Sequence, residues 1–262
     1  MGARLGQHFL KNPTIARALV DACHIRREEI VVEIGPGEGA LTRELLAAGG
    51  RVVAIEKDEA LVKSLQTTFD TEIRSGSLTV HEGDVRDISI ESLGLTKSDY
   101  VLAANIPYYI TGEILRLFLS TASQPRTAAL LIQKEVAQRI VAQRESILSL
   151  SVKVYGSPRI ERYVPAGNFS PPPKVDSAIL VIEDISRKNF ESSAHEQDFF
   201  ALVKRGFSSR RKMLINNLEP YGKAKALSVL QEVAVPEKSR AEDLPLNTWL
   251  SLSKKLRVSD LE

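Results

Sequence analysis

Cysteine is almost absent from this sequence of 262 residues. Its single thiol, Cys23, cannot form an intrachain disulfide, and we expect it to be a small buried residue of a protein from a reducing compartment. The four histidines lack the spacing of metal ligands, and no apolar run is long enough to span a membrane. The N-terminal residues also lack the apolar segment of a signal peptide. We therefore expect a cytoplasmic protein with no metal and no membrane contact.

A large excess of one charge is also missing. The chain has 35 basic and 33 acidic residues, for a formal net charge of +2. Any affinity for nucleic acid must therefore come from local patches of charge. The length allows one large domain, or one large domain with a small one.

Short apolar segments alternate with amphipathic segments up to about residue 185. The predicted strands are 30–34, 52–55, 78–80, 100–104, 128–132, 148–155 and 177–182. The predicted helices between them are 13–22, 40–48, 59–65, one that begins at Thr111, and 134–143, with Asn12, Asp58 and Thr111 as caps. This alternation predicts a mostly parallel sheet, and the last two strands predict an antiparallel hairpin at its edge.

Helical patterns replace strand patterns after residue 185. They cover residues 199–207, 211–218, 223–233 and 246–256, and a polar segment at 186–189 is a candidate linker. The sequence therefore predicts a smaller helical domain over 186–262.

A glycine-rich turn, Gly35, Gly37 and Gly39, follows the first buried strand and opens a helix. Its spacing is one residue shorter than the dinucleotide fingerprint, and alone it is equally typical of a tight connection. Acids follow the next two strands: Glu56 is placed to bind ribose hydroxyls, and Asp84 to accept a hydrogen bond from an adenine amine. The combination predicts an adenosine site at the carboxyl edge of the sheet. The lysine-serine pair of a nucleoside triphosphatase is absent.

The tetrapeptide from Asn105 to Tyr108 follows the fourth strand at the same edge. The exocyclic amine of adenine is a weak nucleophile because its lone pair is delocalised into the ring. Acceptors such as the Asn105 side-chain oxygen can hold its hydrogens so that the lone pair points at a methyl donor. Tyr108 can stack on a flipped-out base, and Pro107 stiffens the loop.

These motifs together resemble the small-subunit ribosomal RNA adenine N6-dimethyltransferases (KsgA-type). The resemblance covers nearly the whole chain, and its motifs are 6–10, 33–39, Glu56, Asp84, 105–108, 133–137, 164–177 and 206–218. It implies an α/β fold, in which a seven-stranded Rossmann-like class I methyltransferase domain over 1–185 precedes a small all-α RNA-recognition domain over 186–262.

The resemblance also implies roles for individual residues. S-adenosyl-L-methionine would be the methyl donor, bound by His8, Leu10, Gly35, Gly37, Gly39, Glu56, Lys57, Asp84, Val85 and Asn105. The catalytic residues would be Asn105, Tyr108 and Phe169, with Phe169 on the other face of the target base. The implied reaction dimethylates N6 of two adjacent adenines in the 3′-terminal hairpin loop of 16S ribosomal RNA, and the partner is the small ribosomal subunit, bound by a monomer.

A basic cluster in the C-terminal region is the predicted RNA contact. It consists of Lys204, Arg205, Arg210, Arg211 and Lys212. Such clusters bind phosphate oxygens without reading bases, although a basic run is more often a solvated helix face. Three alternatives remain open: a large-subunit dimethyltransferase of the antibiotic-resistance type, a factor that mainly binds assembling ribosomes, and, less favoured, a DNA adenine methyltransferase.

Overall fold

The computed structural model describes residues 8–260, so Gly6 and Gln7 of the predicted N-terminal motif lie outside the described residues. The chain divides into two compact units. The first contains the residues up to Gln138 together with Gly156–Ile185, and the second contains Arg139–Tyr155 and the residues from Ser186 onward. One division lies between residues 185 and 186, and residues 139–155, which the sequence pattern places in the first domain, group with the second unit.

Seven strands of the first unit form one sheet in the order β4-β3-β2-β5-β6-β9-β7, and two short strands form a separate pair. The strands are Phe9–Leu10 (β1), Ile30–Ile34 (β2), Arg51–Glu56 (β3), Leu78–Glu82 (β4), Tyr100–Asn105 (β5), Thr127–Gln133 (β6), Ser157–Val164 (β7), Phe169–Ser170 (β8) and Ser177–Glu183 (β9). Strands β2 to β6 are mutually parallel, whereas β9 is antiparallel to both β6 and β7. This is the Rossmann-like sheet predicted from the sequence.

The helices begin at two of the three predicted N-caps. They are Pro13–Cys23 (α1), Ala40–Ala47 (α2), Glu59–Thr68 (α3), Asp70–Arg74 (α4), Thr111–Ser120 (α5), Lys134–Val141 (α6), Ile147–Lys153 (α7), Ser193–Gly206 (α8), Leu214–Asn217 (α9), Lys223–Glu232 (α10) and Leu246–Ser253 (α11). The side chains of Asn12 and Asp58 accept backbone N–H groups at the starts of α1 and α3. Thr111 is instead the first helical residue of α5, and the predicted cap there is wrong.

The centre of the sheet is apolar on both faces. Strands β5 and β6 are buried over almost their whole length, as expected of parallel strands covered by helices. Helix α1 packs on this layer through Ala16 and Leu19, which are fully buried. Because β2, β3, β4 and β5 run in the same direction, the residues that follow them meet at one edge of the sheet.

The predicted strand at 148–155 is wrong. Most of those residues belong to helix α7, which begins at a capping box in which Ser146 and Ser149 exchange side-chain and backbone hydrogen bonds. The alternation of leucine and valine there resembled a strand pattern, but a capping box selects a helix. The partner of β9 is β7, whose proline and mostly exposed charged residues are typical of an edge strand and concealed it in the sequence.

The second unit is helical. Trp249 of α11 is fully buried and stacks on Phe207, with 5.6 Å between ring centroids. A second aromatic group joins Tyr155, Phe190 and Phe199. The helix predicted at 211–218 begins later, at Leu214, and residues 207–213 connect α8 to α9 without a regular helix. Within residues 8–260, no helix is both long enough and apolar enough to cross a bilayer.

Candidate active site

A cleft opens at the carboxyl edge of the sheet in the first unit, where the sequence predicts an adenosine site. Most of the predicted site residues line it: His8, Leu10, Gly35, Gly37, Glu56, Lys57, Asp84, Val85, Asn105 and Tyr108. They come from sequence positions up to 100 residues apart, and the parallel strand order brings them together.

Glu56 anchors the glycine turn at the end of β3. Its Oε2 accepts the N–H of Gly37 at 3.1 Å, and its Oε1 accepts the N–H groups of Lys57 and Asp58 at 2.9 and 3.0 Å. Gly37 has φ of 59°, and a Cβ there would lie 2.9 Å from the ring of Phe9. A larger residue would therefore disturb both the turn and the N-terminal segment that covers it. The carboxylate is 5% exposed and lines the cleft, and a carboxylate can accept about four hydrogen bonds, one more than it does here.

Asp84 lies two residues beyond β4 and is held by two cations. Its Oδ1 accepts hydrogen bonds from the backbone N–H and from Nε of Arg86. Its Oδ2 accepts hydrogen bonds from Nη2 of Arg86 at 2.6 Å and from Nζ of Lys57 at 2.9 Å. The hydrogen bonds from Arg86, and then that from Lys57, hold the pKa of Asp84 well below its usual range. Each oxygen already accepts two hydrogen bonds, so an adenine amine would have to displace Arg86 or Lys57.

Asn105 ends β5, and its amide is fixed in one orientation. Its Nδ2 donates to the backbone carbonyl of His8 at 2.9 Å. Since that carbonyl can only accept, the nitrogen side of the amide is committed to it, and Oδ1 is the acceptor that remains for a ligand. The imidazole of His8 donates from Nδ1 to the carbonyl of Pro171 at 2.7 Å, so the covering segment is itself held in place.

Tyr108 stands beside Asn105 and is fixed at both ends. Its ring lies 5.7 Å from the His8 ring, tilted by 31°, and its hydroxyl is 2.7 Å from the hydroxyl of the buried Ser177. Partial burial raises the pKa of Tyr108, so the ring stays neutral at ordinary pH.

Two predicted site residues do not line the cleft in this structure. Gly39 lies deeper in the turn, where a Cβ would be 2.5 Å from the ring of Phe69. Phe169 is 2% exposed and belongs to the core cluster, in β8 opposite Leu10. A ring buried there would have to turn out of the core to stack on a base.

Glu33 is a cleft residue that sequence reasoning did not single out. It is 1% exposed, its Oε2 accepts the Thr42 hydroxyl at 2.7 Å, and its Oε1 has no partner among the described residues. Burial raises the pKa of Glu33 to about 8. The signal in the sequence was an acid within an otherwise apolar strand, which is unfavourable unless a ligand or partner compensates it.

The basic cluster lies in the second unit. Lys204 and Arg205 occupy the last turn of α8, and Arg210, Arg211 and Lys212 lie on the connection formed by residues 207–213, which we call the basic turn. All five side chains are exposed. The ion pairs found between described residues of this unit involve other cations, such as Lys225, Lys254 and Lys255. The five charges therefore face solvent without a carboxylate partner between residues 8 and 260.

The family model for ribosomal RNA adenine dimethylase matches residues 2–257. The chain belongs to this family. The cleft and the basic cluster described above are therefore parts of a methyltransferase.

Curated relatives extend over almost the whole chain. The ribosomal RNA small subunit methyltransferase A of Dehalococcoides mccartyi is 38% identical, over 95% of this chain and 86% of the relative. The protein of the same name from Thermosynechococcus vestitus is 37% identical, over 97% and 96%.

Solved structures support the fold. A dimethyladenosine transferase from Plasmodium falciparum has a TM-score of 0.80 and 27% identity, covering 94% of this chain and 96% of its own. The 23S rRNA methyltransferase ErmE has a TM-score of 0.76 and 26% identity, covering 95% and 99%. The class I methyltransferase fold expected from the sequence is thus confirmed.

Proposed function

We propose that this protein transfers methyl groups from S-adenosyl-L-methionine to N6 of two adjacent adenines in the 3′-terminal hairpin loop of 16S ribosomal RNA. Each adenine receives two methyl groups, and the partner is the small ribosomal subunit in the cytoplasm. The protein acts as a monomer without a metal ion. The observation that carries the proposal is the fixed amide of Asn105 at the edge of the cleft.

Asn105 suits a substrate that donates a hydrogen bond. With Nδ2 committed to the carbonyl of His8, the free Oδ1 can accept one hydrogen of an adenine amine. That contact holds the amine so that its lone pair is less delocalised into the ring and points at the methyl donor, which is catalysis by orientation and electrostatics. No strong general base is required, because the methylated amine can lose its proton to water.

Tyr108 supplies a face on which the flipped-out base can rest. Its hydroxyl contact with Ser177 and its ring contact with His8 restrict its motion, so little ordering is required when the base arrives. An aromatic face also favours positive charge that develops on the amine during transfer. The stacking role that the resemblance implies for Phe169 stays a prediction, since its ring is buried here.

The polar groups of the cleft fit the methyl donor, which supplies an electrophilic methyl group on a sulfonium. The unpartnered Oε1 of buried Glu33 suits the ammonium of the methionine part, whose positive charge would favour the ionised carboxylate. The remaining acceptor capacity of Glu56 suits the ribose hydroxyls. Asp84 with Val85 would contact the adenine once Arg86 or Lys57 is displaced from the carboxylate. The glycine turn and the segment of His8 and Leu10 would enclose the ligand.

One observation favours small-subunit RNA over the large-subunit alternative. The curated relatives cited above are named as small subunit methyltransferases and match at 37–38% identity. The solved structures do not discriminate, since both a dimethyladenosine transferase and a 23S enzyme match. The exposed basic cluster supports contact with an RNA backbone in either case.

The test uses purified protein, labelled S-adenosylmethionine, and small subunits from a strain that lacks these methyl groups, with large subunits in parallel. The expected product is N6-dimethyladenine at the two adjacent positions of small-subunit RNA. The Asn105→Ala variant serves as the control, and it is expected to keep cofactor binding while losing product.

Each other outcome overturns part of the proposal. Label found only in large-subunit RNA would assign the protein to the resistance-type activity. Cofactor binding and subunit binding without label in either RNA would favour a factor that mainly binds assembling ribosomes.

A further inference from the structure

The basic turn carries several cations on a backbone without regular secondary structure. Residues 207–213 form no regular helix or strand, yet they carry three of the five exposed cations. A loop of unpaired like charges tends to spread, because the charges repel one another. Something in the second unit must therefore hold it in the observed shape.

Asn217, on the short helix α9, bonds to both sides of this segment. Its side chain is 5% exposed. Its Nδ2 donates to the carbonyl of Gly206 at 2.6 Å and to the carbonyl of Ser209 at 3.1 Å. One amide thus joins the last residue of α8 to the third residue of the basic turn.

The carbonyl of Ser209 that Asn217 contacts also closes the turn that carries the two arginines. The carbonyl of Ser209 also accepts the N–H of Lys212 at 3.1 Å, which closes a four-residue turn. Arg210 and Arg211 are its two central residues, and both side chains are exposed. Asn217 therefore fixes the base of the turn on which these two guanidinium groups stand.

The other end of the segment is fixed by packing. A Cβ on Gly206 would lie 2.4 Å from the Trp249 ring, and Phe207 stacks on the same ring. That end needs no further support. Ser209, by contrast, is tied to the body of the second unit by the amide of Asn217.

We propose that Asn217 is a positioning residue for RNA binding, which holds the basic turn so that Arg210 and Arg211 meet phosphate oxygens of the RNA backbone. The inference rests on the proposed RNA-binding function of this turn. A turn that is already ordered loses less conformational freedom on binding. The hydrogen bonds of Asn217 therefore increase the affinity of the protein for RNA.

The experiment compares Asn217→Ala with Asn216→Ala in the full-length protein. Asn216 is the neighbouring residue of the same type and is exposed, so it is a matched control. Affinity for unmethylated small subunits is measured over a series of salt concentrations, together with kcat, KM and the affinity for S-adenosylmethionine. Asn217→Ala is expected to weaken subunit binding and raise KM about tenfold. It should also flatten the salt dependence by about 0.7 in the log–log slope for each phosphate that the turn no longer neutralises.

A purely structural role would not give this pattern. The expected kcat at saturating subunits and the expected cofactor affinity are those of the unchanged protein. If Asn217→Ala melts early, the pair Asn217→Asp and Asn216→Asp is compared below both melting temperatures. Both changes add one negative charge, but only Asn217→Asp removes the donors to Gly206 and Ser209.

Arg211→Ala separates failure of this inference from failure of the proposed function. If Arg211→Ala leaves subunit binding unchanged, the basic turn is not an RNA contact and the underlying function of the turn is wrong. If Arg211→Ala weakens binding while the Asn217 variants match their Asn216 controls, Asn217 does not position the turn and our inference is overturned.

Discussion

The cleft of the first unit and the basic turn of the second unit differ in how their charged side chains are partnered. In the cleft, Asp84 is paired with Arg86 and Lys57, and Glu56 is bonded to three backbone N–H groups. In the basic turn, the cations are exposed and have no acidic partner among the described residues. The first arrangement suits one small ligand of defined shape, whereas the second suits a long polyanion.

The contrast predicts different responses to conditions. Groups that are already hydrogen-bonded and partly buried depend on geometry, and salt screens them weakly. Exposed cations that bind phosphates release counterions, and their affinity depends steeply on salt. Changes in the cleft should therefore alter chemistry at any ionic strength, and changes in the basic turn should lower RNA affinity most at low salt.

The largest expected effect comes from Asn105→Ala. Loss of the acceptor that orients the amine should lower kcat about 10²- to 10³-fold, the range seen when one preorganised polar group is removed from an active site. Calorimetric affinity for S-adenosylmethionine should fall far less. The surface change Asn216→Ala is the control. An equal loss of turnover and of cofactor affinity would contradict the division of labour that we assign to the cleft.

Removal of charge from the basic turn should give the next largest effect. The triple change of Arg210, Arg211 and Lys212 to alanine should lower affinity for small subunits about 10- to 100-fold at low salt and reduce the salt slope by about 2. At saturating substrate, kcat should be retained. The matched control replaces three exposed cations of the first unit, Arg27, Lys97 and Arg116. Equal losses in both triple variants would mean that total charge matters and the turn does not.

Glu33→Gln should change the pH dependence of stability. Because burial raises the pKa of Glu33 from 4.5 to about 8, the folded protein keeps a proton that the unfolded chain releases across that window. Stability contributed by the neutral group is therefore fully present below about pH 4.5 and is lost as pH rises through about 8.

The glutamine variant removes this loss. Its melting temperature without ligand should exceed that of the unchanged protein by several degrees above pH 8, and the difference should disappear near pH 5. Glu82→Gln, at an exposed end of β4, should show no such trend. A constant difference between the two proteins at all pH values would show that ionisation of Glu33 is not the cause.

The smallest expected effect is at Arg86. Arg86 donates hydrogen bonds to both carboxylate oxygens of Asp84. Arg86→Gln should therefore free acceptor sites on Asp84 for the adenine of the cofactor. Exposed ion pairs contribute little, so affinity should rise about fivefold at most. Isothermal titration with S-adenosylhomocysteine measures this. A loss of affinity would mean that Arg86 itself contacts the ligand.

Much of the first unit was predictable because its signals are local. The buried parallel strand β2 is apolar except for Glu33, and its bounds were predicted without error. The strand-end acids and the Asn105 tetrapeptide could be placed at one edge, because parallel strands carry their carboxyl ends to the same side. The edge strand β7 escaped prediction since it has one polar face, a proline and no apolar core.

The remaining features depend on contacts between distant residues. Nothing in the sequence near Asn105 indicates that its amide is committed to the carbonyl of His8, or that Phe169 is buried opposite Leu10. Likewise, the saturation of Asp84 results from rotamers of Lys57 and Arg86. The sequence thus predicts which groups are present, whereas their hydrogen-bonding state is decided by tertiary structure.

The segment that covers the cleft is hydrogen-bonded to residues that the ribosome adds much later in synthesis. The bond from Asn105 to His8 spans 97 residues, and the bond from His8 to Pro171 spans 163. Contacts of such separation form only after the intervening sheet has closed a large loop. A ribosome-bound chain shorter than about 170 residues therefore has the glycine turn and the acids but no cover over them. We therefore expect methyl transfer to begin only when the first unit is complete, so that activity reports the folding of this unit.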